Sequence, residues 1–186
     1  MSRLHVIDFE GTRASGIGEY GAATLIDGEI GEVYAAECAE NFTEHLDLFI
    51  KLRRSGAFAG HNASVEDGLL RHYAASPGFV KKYSGAVEFV ITWGPWIDTK
   101  VLYKTFYCSL SDYSLENLIK TFALTERLLS LASKFCPPSK LGYHSALFDA
   151  LATCILLKNL TMELQRNGIE TSEEFLLEYS CPGKKI

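Results

Sequence analysis

The stretch VIDFEGT, residues 6–12, has the shape of a buried strand but carries charge inside it. Val6 and Ile7 are β-branched and Phe9 continues the apolar run, yet Asp8 and Glu10 flank that phenylalanine. In a strand successive side chains point to opposite faces, so Asp8 and Glu10 share one face and Phe9 takes the other. Two carboxylates side by side repel, and burying them without a partner is costly. A divalent cation is one such partner, so the question becomes whether the chain supplies further ligands.

Working outward, residues 3–9 read as this strand, and Asp27-Gly28 between two strand-like runs in residues 19–37 predicts a hairpin. The chain therefore opens with three antiparallel strands. Residues 43–56 carry Leu46, Phe49, Ile50 and Leu52 at helical spacing, with Gly56 as a stop. AFAG (57–60) is a short buried strand, and residues 66–75 form a helix ended by Pro77-Gly78. AVEFVITW (86–93) reads as a strand, Gly94-Pro95 as a break and WIDT (96–99) as a further strand end. Helices are predicted over 99–107, 114–122, 126–135, about 145–167 and 172–180, with Ser114, Ser145 and Ser172 as N-caps. This order describes an α/β chain with a mixed sheet flanked by helices. A length of 186 residues suits a single domain over 1–186.

Composition is that of an ordinary globular chain, 47% hydrophobic and 22% charged. No apolar run is long enough for a bilayer, and carboxylates stand where a secretory signal would have its apolar centre. Five widely spaced cysteines with no C-x-x-C argue against a disulfide framework and a zinc site, and for a reducing intracellular (cytoplasmic) setting. The net charge of −5 predicts weak non-specific attraction to nucleic acid. It does not exclude a nucleic-acid substrate, because an acidic metal site itself lowers the charge. The clusters Lys51–Arg53–Arg54 and Lys81–Lys82 read as solvated faces.

Further carboxylates stand in places that a plain core does not explain. In AGHNASVEDGLL (59–70), a short strand runs into His61-Asn62, and Glu66-Asp67 open a helix. Taken alone, an acid in the first turn is accounted for by the helix dipole. In GYHSALFDALATCILL (142–157), His144 precedes a helix that is apolar nearly all round, and Asp149 lies a turn inside it. A lone buried carboxylate would cost on the order of several kcal/mol, so Asp149 needs a metal or a buried arginine. Asp98, just before a helix, reads as an N-cap. Core packing is the favoured reading for Phe79, Tyr83, Phe89, Trp93 and Trp96, with stacking on bases as the alternative.

Together these residues form an ordered set: D-x-E on the first strand, an acid after H-N, and H-x-x-x-x-D at a late helix start. Four carboxylates can hold two hard cations through oxygen ligands. Two metals roughly 3.5–4 Å apart can clamp both oxygens of a phosphoryl displacement. A histidine of pKa about 6.5 can take a proton from attacking water.

With these motifs the chain resembles the DEDDh (DnaQ-like) 3′–5′ exonucleases, which have an RNase H-like fold. The resemblance spans about Leu4 to Leu160: IDFEGT, HNASVED and YHSALFDALAT match the three motifs in order, and WIDTKVL and YSLENLIKTFAL match further recurrent segments. It implies Asp8, Glu10, Asp67 and Asp149 as metal ligands, His144 as general base, and two Mg²⁺ or Mn²⁺ ions. It implies Gly11, Thr12 and Asn62 as substrate-binding positions. Two departures stand out: Gly-Thr follows Glu10 where many members have two threonines, and the usual position of the second-motif aspartate holds Glu66. Asp67 is assigned on the longer spacing of some oligoribonuclease-type relatives, with Glu66 as the alternative, since adjacent helical residues diverge by about 100°. The implied activity is two-metal phosphodiester hydrolysis at 3′ ends, with single-stranded DNA favoured. Alternatives are an exoribonuclease or oligonucleotide hydrolase, or a subunit of a polymerase or other nucleic-acid machine; a homodimer is also open.

Overall fold

The computed structural model describes residues 3–38, 41–73 and 93–181. Strand β1 (Arg3–Thr12) pairs antiparallel with β2 (Gly16–Ile26), which pairs antiparallel with β3 (Glu29–Glu37). The predicted Asp27-Gly28 turn joins the last two, with φ of 51° and 82°. Positive φ at both central residues is what a tight hairpin turn of matching twist requires. On the other edge of β1, β4 (Ala57–Gly60) runs parallel to it and β5 (Trp96–Asp98) runs parallel to β4. The result is a mixed five-stranded sheet in the order β3-β2-β1-β4-β5.

Helices cover both faces: α1 (Leu46–Ser55), α2 (Ser64–Tyr73), α3 (Thr99–Phe106), α4 (Leu115–Thr121), α5 (Thr125–Ala132), α6 (Ala146–Arg166) and α7 (Glu173–Tyr179). Strand parity sorts the core into two layers. Val6 packs with Ala23, Leu25, Ala59 and Ile97 against Leu151 and Ile155 of α6. Ile7 and Phe9 pack with Phe42, Phe49 and Phe58 on the opposite side. Asp8 and Glu10 therefore belong to the α6 side of β1, as the alternation predicts. The helix comes unusually close there. A Cβ at Gly21, the β2 partner of Asp8, would lie 2.3 Å from both Cα and N of Leu147.

Several sequence expectations need correcting. The second helix begins at Ser64 rather than 66, because Asp98 accepts the Asn62 and Ala63 amides (3.1 and 2.9 Å) and tightens the chain just before it. Asp98 also caps α3, as expected, accepting from the Lys100 and Val101 amides. Ser172 caps α7 through the Phe175 amide. Ser114 and Ser145 occupy N-cap positions but make no side-chain cap bond. The Ser114 hydroxyl instead donates to Asp112, whose carboxylate also takes the Ser114 amide. The cluster Lys51–Arg53–Arg54 is not a uniformly solvated face: Arg53 is buried, and its guanidinium donates to the carbonyls of Trp93, Gly94 and Gly56. Trp93 is fully buried, as core packing predicts. Most of the predicted strand 86–93, together with Phe79, Tyr83, Phe89, Lys81 and Lys82, lies outside the described residues.

Candidate active site

The end of β1 and the start of α6 bring distant parts of the chain together. Glu10, His144 and Asp149 each present a ligand-type atom, and these atoms lie within 4.8 Å of one another. His144 is exposed and sits just before α6 with a left-handed φ of 65°. Its backbone N–H donates to Asp149 Oδ2 at 3.0 Å, so the carboxylate and the histidine loop hold each other in place. Asp149 is itself buried, and its Oδ1 has no hydrogen-bond partner.

The second motif separates its two acids. Glu66 is buried, and its Oε2 accepts the Phe9 amide at 3.0 Å, on the strand that carries Asp8 and Glu10. Asp67 points elsewhere. Its Oδ1 accepts from the Trp93 amide at 2.7 Å and the Trp96 indole at 3.0 Å, and its Oδ2 pairs with Arg71 at 2.8 Å. Of the two acids weighed from the sequence, Glu66 thus bonds the strand that carries Asp8 and Glu10, whereas Asp67 bonds Trp93, Trp96 and Arg71. The angular divergence of neighbouring helical positions is the reason both cannot face the same way.

Electrostatics mark the same cluster. Burial, then the charge of Glu66, with those of Asp149, Glu10 and Glu19, pushes the Asp8 carboxyl well above its ordinary range. Burial pushes Glu66 up to about 8, with Glu10 and Asp98 adding to it and the Phe9 amide opposing it. Burial raises Asp149 to about 6, against the His144 amide bond and with help from Glu10. Glu10 is raised by burial and partly restored by His144. Among the described residues no lysine or arginine forms a salt bridge with any of these four. The buried-arginine alternative for Asp149 therefore finds no partner there. A cluster of unneutralised carboxylates with an orphaned buried oxygen fits a hard cation, whose ligands are oxygens.

The structure also places the remaining expected positions, Gly11, Thr12 and Asn62. Gly11 sits at a bulge between Glu10 and Gly11, with a φ of 155°, and a Cβ there would lie 2.1 Å from the Gly16 carbonyl oxygen. That contact explains why a threonine is not found at this position. Thr12 is exposed, and its hydroxyl and amide bond Ser15 to close the turn before β2. Asn62 has a φ of 72° and spends its amide on Asp98.

Sequence reading missed Glu19. Its Oε1 accepts from the Ala146 amide and the Ser145 hydroxyl, and its Oε2 from Lys140 Nζ at 2.5 Å. The capping role expected of Ser145 is taken by a carboxylate from β2. A lone glutamate in a strand gives no sign of a partner more than a hundred residues away.

No family model and no curated protein matches the chain. Among solved structures, the fold is similar to that of exonuclease X in complex with 5′ overhanging duplex DNA. The TM-score is 0.59 over 97% of this chain and 100% of that one, at 20% identity. The architecture is therefore the RNase H-like one expected from the motifs. No helix among the described residues is long and apolar enough to cross a membrane.

Proposed function

We propose that this chain is a metal-dependent 3′–5′ exonuclease that shortens nucleic acid, single-stranded DNA by preference. The observation that carries the reading is the convergence of Asp8, Glu10, Glu66 and Asp149, unpaired with any basic side chain among the described residues, beside an exposed His144. The similarity of the fold to a DNA-bound exonuclease supports it. In this reading Glu66 takes the ligand position that the sequence assigned to Asp67.

The four carboxylates would hold Mg²⁺ or Mn²⁺ ions, two in number, which when bound supply Lewis-acid stabilisation to the attacking and leaving oxygens of the phosphodiester. His144 acts as general base: a ring nitrogen takes the proton of the attacking water, and its place at the rim lets it release that proton to solvent. Asp149 holds the His144 loop through the backbone amide, which keeps the ring near the carboxylates. Gly11 and Thr12, at the exposed end of β1, are where the terminal nucleotide lies.

The test uses purified protein with labelled single- and double-stranded DNA and RNA, with Mg²⁺, Mn²⁺ or excess chelator. The reading expects stepwise shortening from the 3′ end, lost in chelator and blocked by a 3′ phosphate. Degradation that persists in chelator, or that starts from a blocked 3′ end, contradicts it. Faster cleavage of RNA than of DNA would move the substrate to the ribonuclease alternative.

A further inference from the structure

We infer that Glu19 is a positioning residue that sets the place of His144, an inference that rests on the nuclease reading above. Glu19 lies outside the four-carboxylate set, yet it grips both ends of the short loop that carries the histidine. At one end Lys140 Nζ meets Glu19 Oε2 at 2.5 Å and Glu37 at 3.0 Å. At the other, Glu19 Oε1 accepts the Ser145 hydroxyl at 3.2 Å and the Ala146 amide at 3.1 Å. Residues 141–144 lie between these ties, and His144 is the last of them.

Register explains why this position can do so. Glu19 pairs across the sheet with Glu10 on one side and Glu37 on the other. It thus stands in the same row as a carboxylate of the cluster. Two residues on, Gly21 admits the backbone of α6 onto the sheet. The Glu19 side chain, 15% exposed, reaches from that row to the helix start. Charge-assisted bonds of this kind, from a lysine and from a helix amide to one carboxylate, are the stronger class of hydrogen bond. Without Glu19, the loop keeps the Lys140–Glu37 pair at one end and the His144 amide bond to Asp149 at the other, and loses every tie to the start of α6 that Glu19 supplies.

The test compares Glu19→Ala, Glu19→Gln and Lys140→Met with the intact protein, each alone and combined with His144→Ala. On a labelled single-stranded oligonucleotide with Mg²⁺, Glu19→Ala should lower kcat by up to about 10²-fold, the cost of a reacting group displaced by about an ångström, with KM unchanged. Glu19→Gln keeps an acceptor for the Ala146 and Ser145 donors and should restore most of the rate. Lys140→Met removes only the ionic tie and should fall between them. In the His144→Ala background, Glu19→Ala should cost nothing further. An equal loss in both backgrounds overturns the inference.

A second readout needs no activity. In the substrate-free protein, Glu19→Ala should speed exchange of the Ala146 amide and shift the His144 ring resonances, with the fold intact by circular dichroism. Unchanged exchange and resonances overturn the inference, even if the rate falls. If the intact protein cleaves no nucleic acid, the nuclease reading fails, and this measurement alone decides whether Glu19 sets the loop.

Discussion

Glu66 and Asp67 are adjacent in the chain but bond to different parts of the fold: Glu66 accepts the Phe9 amide of β1 at 3.0 Å, whereas Asp67 accepts the Trp93 amide at 2.7 Å. Glu66→Gln should therefore abolish cleavage while leaving the fold intact. Asp67→Ala should retain cleavage but lose about 1–3 kcal/mol of stability, because a buried amide is left without its acceptor. Initial rates and urea midpoints on the two variants check this. An inactive, stable Asp67→Ala protein would restore the register assigned from the sequence.

The acidic cluster should make the metal-free protein weaker as pH rises. Glu66 is raised to about 8 and Asp149 to about 6, so the folded state holds protons that the unfolded chain has already released. Stability from these groups is then highest near the unfolded pKa of about 4 and falls as pH climbs through the folded values. In excess chelator, Glu66→Gln should raise the melting temperature at pH 8 and change it little at pH 5. Adding Mg²⁺ or Mn²⁺ to the intact protein at pH 8 should raise it as well.

His144→Ala should slow cleavage by roughly 10²–10⁴-fold, the usual contribution of a general base. The metal-induced rise in melting temperature should survive, because the carboxylates remain. Near-normal turnover would leave the proton to another acceptor.

Two other histidines, His5 and His61, should act on stability. Burial drives His5 and His61 down to about 4. His5 bonds Thr24 and Ser55, and His61 bonds Thr99 and donates to the Tyr113 carbonyl. Both stay neutral in the folded state while the unfolded chain protonates below about pH 6.5, so their effect is to lower stability as pH falls from about 6.5 towards 4. Substituting His61→Gln should flatten that fall, read from urea midpoints at pH 4, 5 and 6.5.

Where the sequence is informative, a short-range rule decides the outcome. The shared face of Asp8 and Glu10 follows from the two-residue period of a strand, and the apolar circumference of α6 is enough to mark Asp149 as anomalous from the order of residues. The antiparallel pairing of β2 with β3 follows from a turn signal at Asp27-Gly28. The choice between Glu66 and Asp67 is not legible, because both fit the first turn of a helix and only the Phe9 and Trp93 amides tell them apart. Arg53 reads as one of a surface cluster until the carbonyls of Trp93 and Gly94 close around it. The same holds for Glu19, whose partners Lys140 and Ala146 come from the other end of the chain.

The contact of Gly21 with Leu147 turns α6 into a lever with unequal arms. Backbone lies on backbone there, with no side chain whose rotamer could yield. A change in core volume elsewhere can then tilt the helix but hardly lift it at that point. Asp149 stands two residues from the fulcrum and Lys158 eleven, so at about 1.5 Å per residue a given tilt moves Lys158 some five times further. The long arm passes the Lys158–Glu29 pair, beside a groove of about 340 Å³ edged by Leu4, Leu157 and Met162, and runs on to Arg166. Asp149, close to the fulcrum, is thus the part of the helix that any such tilt displaces least relative to β1.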